Sequence, residues 1–382
     1  VNGDGPRQAR PTRVLHLIQN LNYGGMERVL ADLVNRLEPA RFESHVMPLQ
    51  YAGRFAADIA PTATLHDPPG QERTSLLWPR RLARAVRAVD PDVVHTHSGV
   101  WYKGARAARM ARVPRVVHTE HGRHVPDPAI ARFLDRAASR RTDVVVAVSE
   151  DLARTLVEGV GVSAAIVRVV PNGVAPRRRR VGGAERPLRE RLAVGRAAPI
   201  IASVGRLEPV KGYDVLLDAF ARIPRAAARD GREDDGPILV VAGDGSMRSG
   251  LEARARELGI LHAVRLPGWV DDVAEILEEA DVFVLSSRSE GTSISLLEAM
   301  AAGVCPVVTD VGGNAAVLGP DLRHRLVPPG DASALAHALS RALADHGARR
   351  ADATAAQARA ADRYDLDRMA AGYAAVYEGG KR

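Results

Sequence analysis

The sequence predicts an α/β chain of two Rossmann-like, doubly wound parallel-sheet domains, and three observations carry that prediction. Short apolar runs alternate with helical patterns twice over along the 382 residues. The runs are apolar throughout rather than alternating with polar residues, as strands buried on both faces are. A stretch rich in Pro, Gly and Arg divides the two sets, and the chain is longer than one core comfortably serves.

In order, the first set of strand-like runs is Val14 to Gln19, His45 to Leu49, Val93 to Thr96, Val116 to Glu120, Val144 to Val148 and Ile166 to Val170. Helical periodicity fills most gaps, as in Met26 to Leu37 and Leu82 to Val89. The second set is Ile200 to Val204, Ile238 to Ala242, Ala263 to Leu266, Val282 to Leu285, Pro306 to Thr309 and Arg325 to Val327. The expected divisions are therefore residues 1–175, a linker over 176–198, a second domain over 199–363, and a final helical stretch over 364–382 that returns to the first domain. The linker carries a four-arginine run, Arg177 to Arg180, and Arg229 to Pro237 reads as a surface loop. In the last stretch Met369, Tyr373 and Tyr377 share one stripe and read as packing.

Apolar residues make up 46% and charged residues 26%, an ordinary globular composition. The single cysteine, Cys305, lies in an apolar run and forms no internal disulfide or cysteine metal cluster. No apolar stretch approaches a membrane span or a signal sequence, so the expected location is cytoplasmic. The net charge of +7 is concentrated in the first half, while the second half is net acidic. That asymmetry admits peripheral contact with an anionic membrane or a phosphorylated substrate. Nucleic acid fits poorly, because no aromatic interleaving or binding module accompanies the arginines. Only three lysines occur, Lys103, Lys211 and Lys381, which singles out any lysine in a motif.

Several motifs sit where a strand hands over to a helix, the position at which α/β folds bind ligands. Asn22-Tyr23-Gly24-Gly25-Met26-Glu27 follows the first strand, and its paired glycines let a phosphate approach helix N–H groups. It is not the spaced glycine pattern of a dinucleotide site, and no P-loop is present. The fourth strand ends in His118-Thr119-Glu120-His121-Gly122-Arg123-His124, with Thr119 and His121 on one face and His118 and Glu120 on the other. His95 and His97 end the preceding strand, and with Arg123 they are candidates for hydrogen bonding to a ligand. The histidine cluster lacks a metal-ligand spacing, so hydrogen bonding is its expected use. The second half opens with Gly205-Arg206, Lys211 and Gly212, two cations flanking a strand-to-helix loop and suited to a diphosphate. From Asp281 to Gly313 the chain reads strand, polar loop, helix and strand, with Glu290 in the loop and Glu298 on the helix eight residues later, after Gly291 and the capping candidates Thr292, Ser293 and Ser295.

Taken together, Gly24-Gly25, His121, Pro171-Asn172-Gly173-Val174, Gly205-Arg206 with Lys211-Gly212, Gly243-Asp244-Gly245 and the Glu290/Glu298 pair resemble the retaining glycosyltransferases of family 4, whose fold is GT-B. The resemblance spans nearly the whole chain and implies two domains facing each other across a cleft. It implies that Arg206 and Lys211 meet the diphosphate, that Glu298 binds the ribose, that Glu290 contacts the donor sugar and that His121 faces the reacting sugar. Gly24, Gly25, Gly205, Asp244, Gly245, Gly291, Thr292 and Ser293 would complete the donor site, with Trp269 near the base. No metal and no cofactor are implied, since the nucleoside diphosphate sugar is a co-substrate. The acceptor would be a sugar, a lipid-linked molecule or a small molecule, with His95, His97 and Arg123 as its candidate contacts. Where many members carry a glutamate shortly after the Val-Gly-Gly run, this chain reads Asn314-Ala315-Ala316-Val317. The expected activity is transfer of a hexose-type unit to a hydroxyl. An epimerase or hydrolase of the same fold and a non-catalytic scaffold are the alternatives.

Overall fold

The computed structural model describes residues 10–22, 24–68, 78–123, 128–176, 187–224 and 236–379. Tyr23, His124, the run Arg177 to Arg180 and most of the loop from Arg229 lie outside the described residues. The chain divides into two units, Val1–Gly173 with Leu366–Arg382, and Val174–Asp365.

Among the described residues the first unit is built on seven parallel strands: β1 (Thr12–Ile18), β2 (Phe42–Pro48), β3 (Thr64–Leu65), β4 (Val93–His97), β5 (Arg115–Glu120), β6 (Val144–Ala147) and β7 (Val167–Val169). Their order in the sheet is β3-β2-β1-β4-β5-β6-β7. The sequence suggests six strands here. It passes over β3, which is two exposed residues pairing only with β2 at the edge, and therefore carries no apolar run. Strand order reverses between β1 and β4, where His16 stands opposite His95. Right-handed crossovers then put helix Gly25–Arg36 on one face of the sheet and helices Trp101–Met110 and Ala129–Ser139 on the other. Helix Arg80–Val89 packs beside Trp101–Met110, and Leu366–Glu378 packs beside Gly25–Arg36. Tyr373 and Tyr377 are buried there, as the stripe in the sequence suggests.

The described residues of the second unit form six parallel strands: β8 (Ile200–Val204), β9 (Ile238–Ala242), β10 (Val264–Gly268), β11 (Val282–Leu285), β12 (Cys305–Thr309) and β13 (Leu326–Val327). The order β10-β9-β8-β11-β12-β13 reverses between β8 and β11. Leu188, Val194 and Ala198, within the stretch read as linker, are buried in this unit's core around a short helix, Pro187–Arg191. Three apolar side chains spread over eleven residues give no periodic signal, although each fills the core.

Candidate active site

In the second unit the reversal point between β8 and β11 is where the candidate donor residues gather. Leaving β8, the chain is tied to its neighbours by backbone bonds from Gly205 N–H to Ala242 O (3.0 Å) and from Leu207 N–H to the Asp244 carbonyl (2.9 Å). The Glu208 carboxylate accepts from the Ser246 hydroxyl at 2.9 Å and binds the same two loops together. A single 3-10 turn, Pro209–Lys211, ends at Gly212, whose φ of +63° and 2.2 Å approach of a would-be Cβ to Ser286 O leave room only for glycine. That close approach lays Lys211 against the end of β11: the Ser286 hydroxyl donates to Lys211 O (2.9 Å), and Arg288 N–H donates to Val210 O (2.8 Å).

The Lys211 ammonium then donates to Glu290 Oε1 at 2.6 Å, and the Ser287 hydroxyl donates to the same oxygen at 2.6 Å. Both charged side chains are mostly buried, at 17% and 9% exposed. The Glu290 loop is fixed from behind by Gly312, where φ is +53° and a Cβ would lie 1.9 Å from Glu290 O, and by a bond from Gly313 N–H to Gly291 O (2.9 Å). The Val-Gly-Gly run of the sequence is thus the backing of the Glu290 loop. Helix Ile294–Ala301 starts at Ser293, which supplies no side-chain cap, its hydroxyl lying instead 3.2 Å from that of Ser295. A helix N-terminus not capped by a side chain offers N–H groups to an anion. Glu298 is half-buried in the second turn.

The structure thus brings Gly205, Lys211, Glu290, Gly291, Thr292 and Ser293 to one switch point. Arg206 opens the same loop, is exposed, and its guanidinium enters no ion pair among the described residues. Asp244 and Gly245 follow the neighbouring strand β9, where Asp244 Oδ1 accepts from Gly245 N–H at 2.9 Å. Trp269 follows β10, one strand further out, and its indole donates to Asp271 at 2.8 Å. Ser287 and Gly312 went unassigned from sequence. Their signals were a serine leaving the strand three residues before Glu290 and a glycine pair after the next strand.

In the first unit, Gly24 caps and Gly25 opens helix Gly25–Arg36, with no side-chain cap. A Cβ at Gly24 would sit 2.2 Å from the Glu27 carboxylate, so the glycine lets Glu27 fold back over the helix start. Across the sheet, imidazoles form a line. His16 Nδ1 lies 3.3 Å from His97 Nε2, and His97 Nδ1 lies 3.1 Å from His121 Nε2. Both outer nitrogens, His16 Nε2 and His121 Nδ1, are buried and unpartnered. Burial, with neighbouring imidazoles adding to it, pushes His16 down to about 3 and His95 and His97 well below the ordinary value. Burial likewise takes His121 to about 4 despite the nearby Glu120 charge, so the line is neutral at pH 7. His16, His95 and His97 also bring ring nitrogens within 4.8 Å of one another.

His95 and His97 are not placed for acceptor binding. His95 is fully buried, with one nitrogen 2.7 Å from Tyr377 Oη and the other 2.7 Å from Thr119 Oγ1, because the returning helix Leu366–Glu378 covers it. His97 is spent on His16 and His121. His118 points the other way from His121, as the alternation of the strand suggests, and stacks on Trp101 with centroids 4.0 Å apart. Arg123 does line a cavity of about 580 Å³ at the ends of β1, β2, β4 and β5, but its guanidinium is held by Glu120 (2.9 Å) and Asp135 (2.6 Å). Burial opposes ionisation of Glu120, yet His118, Ser98 and Arg123 around it hold its pKa at about 2. The other polar groups facing this cavity include Gln19, Gln50, Ser98 and Lys103, which followed no motif in the sequence.

Residues 23–178 match the family described as Glycosyltransferase Family 4, and residues 185–360 match Glycosyl transferases group 1. The chain is 31% identical over 314 residues to glycogen synthase of Mycobacterium tuberculosis, an alignment covering 78% of this chain and 70% of that protein. It is 32% identical over 311 residues to D-inositol 3-phosphate glycosyltransferase of Xylanimonas cellulosilytica, covering 75% and 71%. Among solved structures, Anabaena HepE in complex with UDP and glucose matches with a TM-score of 0.80 at 21% identity, covering 96% of this chain and all of that one. The chain belongs to the family 4, group 1 glycosyltransferases, enzymes of GT-B fold.

Proposed function

We propose that this glycosyltransferase moves a hexose-type sugar from a nucleoside diphosphate sugar to a hydroxyl acceptor, with retention at the anomeric carbon and without a metal ion. The observation that supports this reading best is the Lys211–Glu290–Ser287 cluster beside an uncapped helix at the β8/β11 switch point. A diphosphate seated at that helix competes with Glu290 for the Lys211 ammonium, and Glu290, so released, accepts from a donor-sugar hydroxyl. Glu298 binds the ribose. As the bond from the anomeric carbon to the diphosphate breaks, Lys211 and Arg206 stabilise charge on the departing oxygen. That oxygen takes the acceptor proton while the acceptor oxygen bonds to the anomeric carbon on the same face. The cavity of the first unit is the proposed acceptor site. His121 is assigned to the reacting sugar through its unpartnered Nδ1.

The chain's two Asp-x-Asp strings, Asp90 to Asp92 and Asp365 to Asp367, support a metal-free route by their positions. Asp92 is bound by Arg10 and by Arg13 N–H at the start of β4, the opposite end of the sheet from the cavity, and Asp367 is paired with Arg36. The test is incubation of the purified chain with a panel of nucleotide sugars in chelator, beginning with UDP donors, with and without sugar acceptors. Lys211→Ala and Arg206→Ala should each lower turnover at least a hundredfold, in the range of lost oxyanion donors, while leaving the fold intact. Near-normal transfer by both variants refutes the assignment. Accumulation of an epimer from donor alone refutes transfer as the reaction.

A further inference from the structure

We infer that His97 is a positioning residue that holds His121 as a hydrogen-bond donor, its Nδ1–H turned to the sugar, and so bars His121 from acting as a base. The inference rests on the proposed assignment of His121 to the reacting sugar. Both the ring and the backbone of His121 are held from the end of β4. His97 Nδ1 lies 3.1 Å from His121 Nε2, and the next residue, Ser98, accepts from the His121 backbone N–H at 2.9 Å. His97 Nε2 lies in turn 3.3 Å from His16 Nδ1 on β1. His16 and His97 are fully buried, so neither ring can turn to water for a partner.

Proton counting orders this line. Each neutral imidazole carries one N–H and one lone pair, and burial keeps all three rings neutral. Each of the two contacts needs an N–H facing a lone pair, so two hydrogens lie inside the line and the third sits at one end. All three rings therefore share one tautomer. In the Nε2–H form the third hydrogen sits on His16 Nε2, which is buried with no partner among the described residues. In the Nδ1–H form it sits on His121 Nδ1, on a half-buried residue just beyond β5, where a sugar oxygen can accept it. An N–H enclosed without an acceptor is the rarer defect in folded proteins, which favours the Nδ1–H form. His95 does not reorder the line, because its two nitrogens are taken up by Tyr377 Oη and Thr119 Oγ1 at 2.7 Å each. No described group stands beyond His16 Nε2 to pass a proton on, so the line orients His121 and does not conduct. With Nδ1 protonated and Nε2 accepting from His97, His121 has no lone pair for the acceptor hydroxyl. That agrees with the departing phosphate oxygen as the group that takes the proton.

The full chain, isotope-labelled in its histidine ring nitrogens, is read by NMR at neutral pH without substrate, and His121→Gln assigns the His121 signals. His121 Nδ1 should be protonated and Nε2 bare. A His121 protonated at Nε2, or one exchanging between the two forms, overturns the inference. Two variants then separate positioning from packing. His97→Asn places an amide N–H where the ring Nδ1 stood and should keep the His121 tautomer, whereas His97→Leu should leave it mixed. His97→Leu should lower kcat about tenfold, the share of one lost hydrogen bond, with donor KM nearly kept, and His97→Asn should recover most of that loss. Hydrogen exchange at β5 amides checks the fold of both variants. Equal kcat in the two variants overturns the positioning role. Absence of transfer by the wild-type chain refutes the proposed function instead, and the tautomer, read without substrate, still decides the inference.

Discussion

Lowering the pH from about 7.5 to about 5.5 should remove about 3 kcal/mol of stability from the first unit through His16 and His121 alone. Both rings are held neutral by burial, with folded-state pKa values of about 3 and about 4 against an ordinary 6.5. The sign follows from proton counting. Between the folded and unfolded values the unfolded chain holds the extra proton, so stability is full above about 6.5 and falls as the pH drops toward the folded value. One pH unit below the unfolded value, each ring contributes about 1.4 kcal/mol. His95 and His97, also depressed, add in the same direction. Glu120 adds its own loss only below its ordinary value of 4.5, so it does not enter this window. The loss is a sizeable part of a typical domain stability of about 5–15 kcal/mol. Hydrogen exchange at β4 and β5 amides, corrected for the intrinsic pH dependence, reads the first unit by itself. His16→Phe should flatten the dependence by about one ring's share. Equal protection at the two pH values, or the same slope in His16→Phe, refutes the reasoning.

Glu290→Gln and Glu298→Gln should separate chemistry from affinity. The first should lower kcat with little change in donor KM and the second should raise donor KM with kcat nearly kept, since Glu290 alone is tied to Lys211; steady-state kinetics decide it, and a reversed pattern exchanges the two roles. Gly312→Ala should destabilise the second unit by about 2–4 kcal/mol, because a Cβ would collide with Glu290 O and φ is +53°. Calorimetric UDP affinity should fall with it as the Glu290 loop is displaced, and a wild-type urea midpoint together with wild-type affinity would show that the glycine is not needed there.

What the sequence could show was set by sequence distance. Among the described residues twelve of the thirteen strands coincide with short, mostly apolar runs, as strands of a sheet covered on both faces do, and β3 is missed because it is short and exposed. The candidate residues at strand ends were also legible, since each follows an apolar run and precedes a helix. Their partners were not. Lys211 and Glu290 are 79 residues apart, and His95 meets Tyr377 across 282. The stripe of Tyr373 and Tyr377 revealed that this helix packs, but not that its hydroxyls would occupy His95 and Thr119 and so withdraw a candidate acceptor group.

The two switch points hold their polar groups in opposite ways, and the difference follows what each would face. At β8/β11 a mostly buried cation is paired with a carboxylate oxygen that also accepts from a hydroxyl. At β1/β4 the imidazoles stay neutral because burial outweighs the nearby Glu120 charge, and that carboxylate is itself answered by Arg123. Glycosyl transfer develops negative charge on the leaving phosphate and positive charge at the sugar ring. A fixed cation helps the first and harms the second. Under the proposed reading, Lys211 and Arg206 stand with the phosphate, and the group given to the sugar, His121, has been stripped of the proton that would oppose it. Its neutrality depends on a burial that only the fold provides.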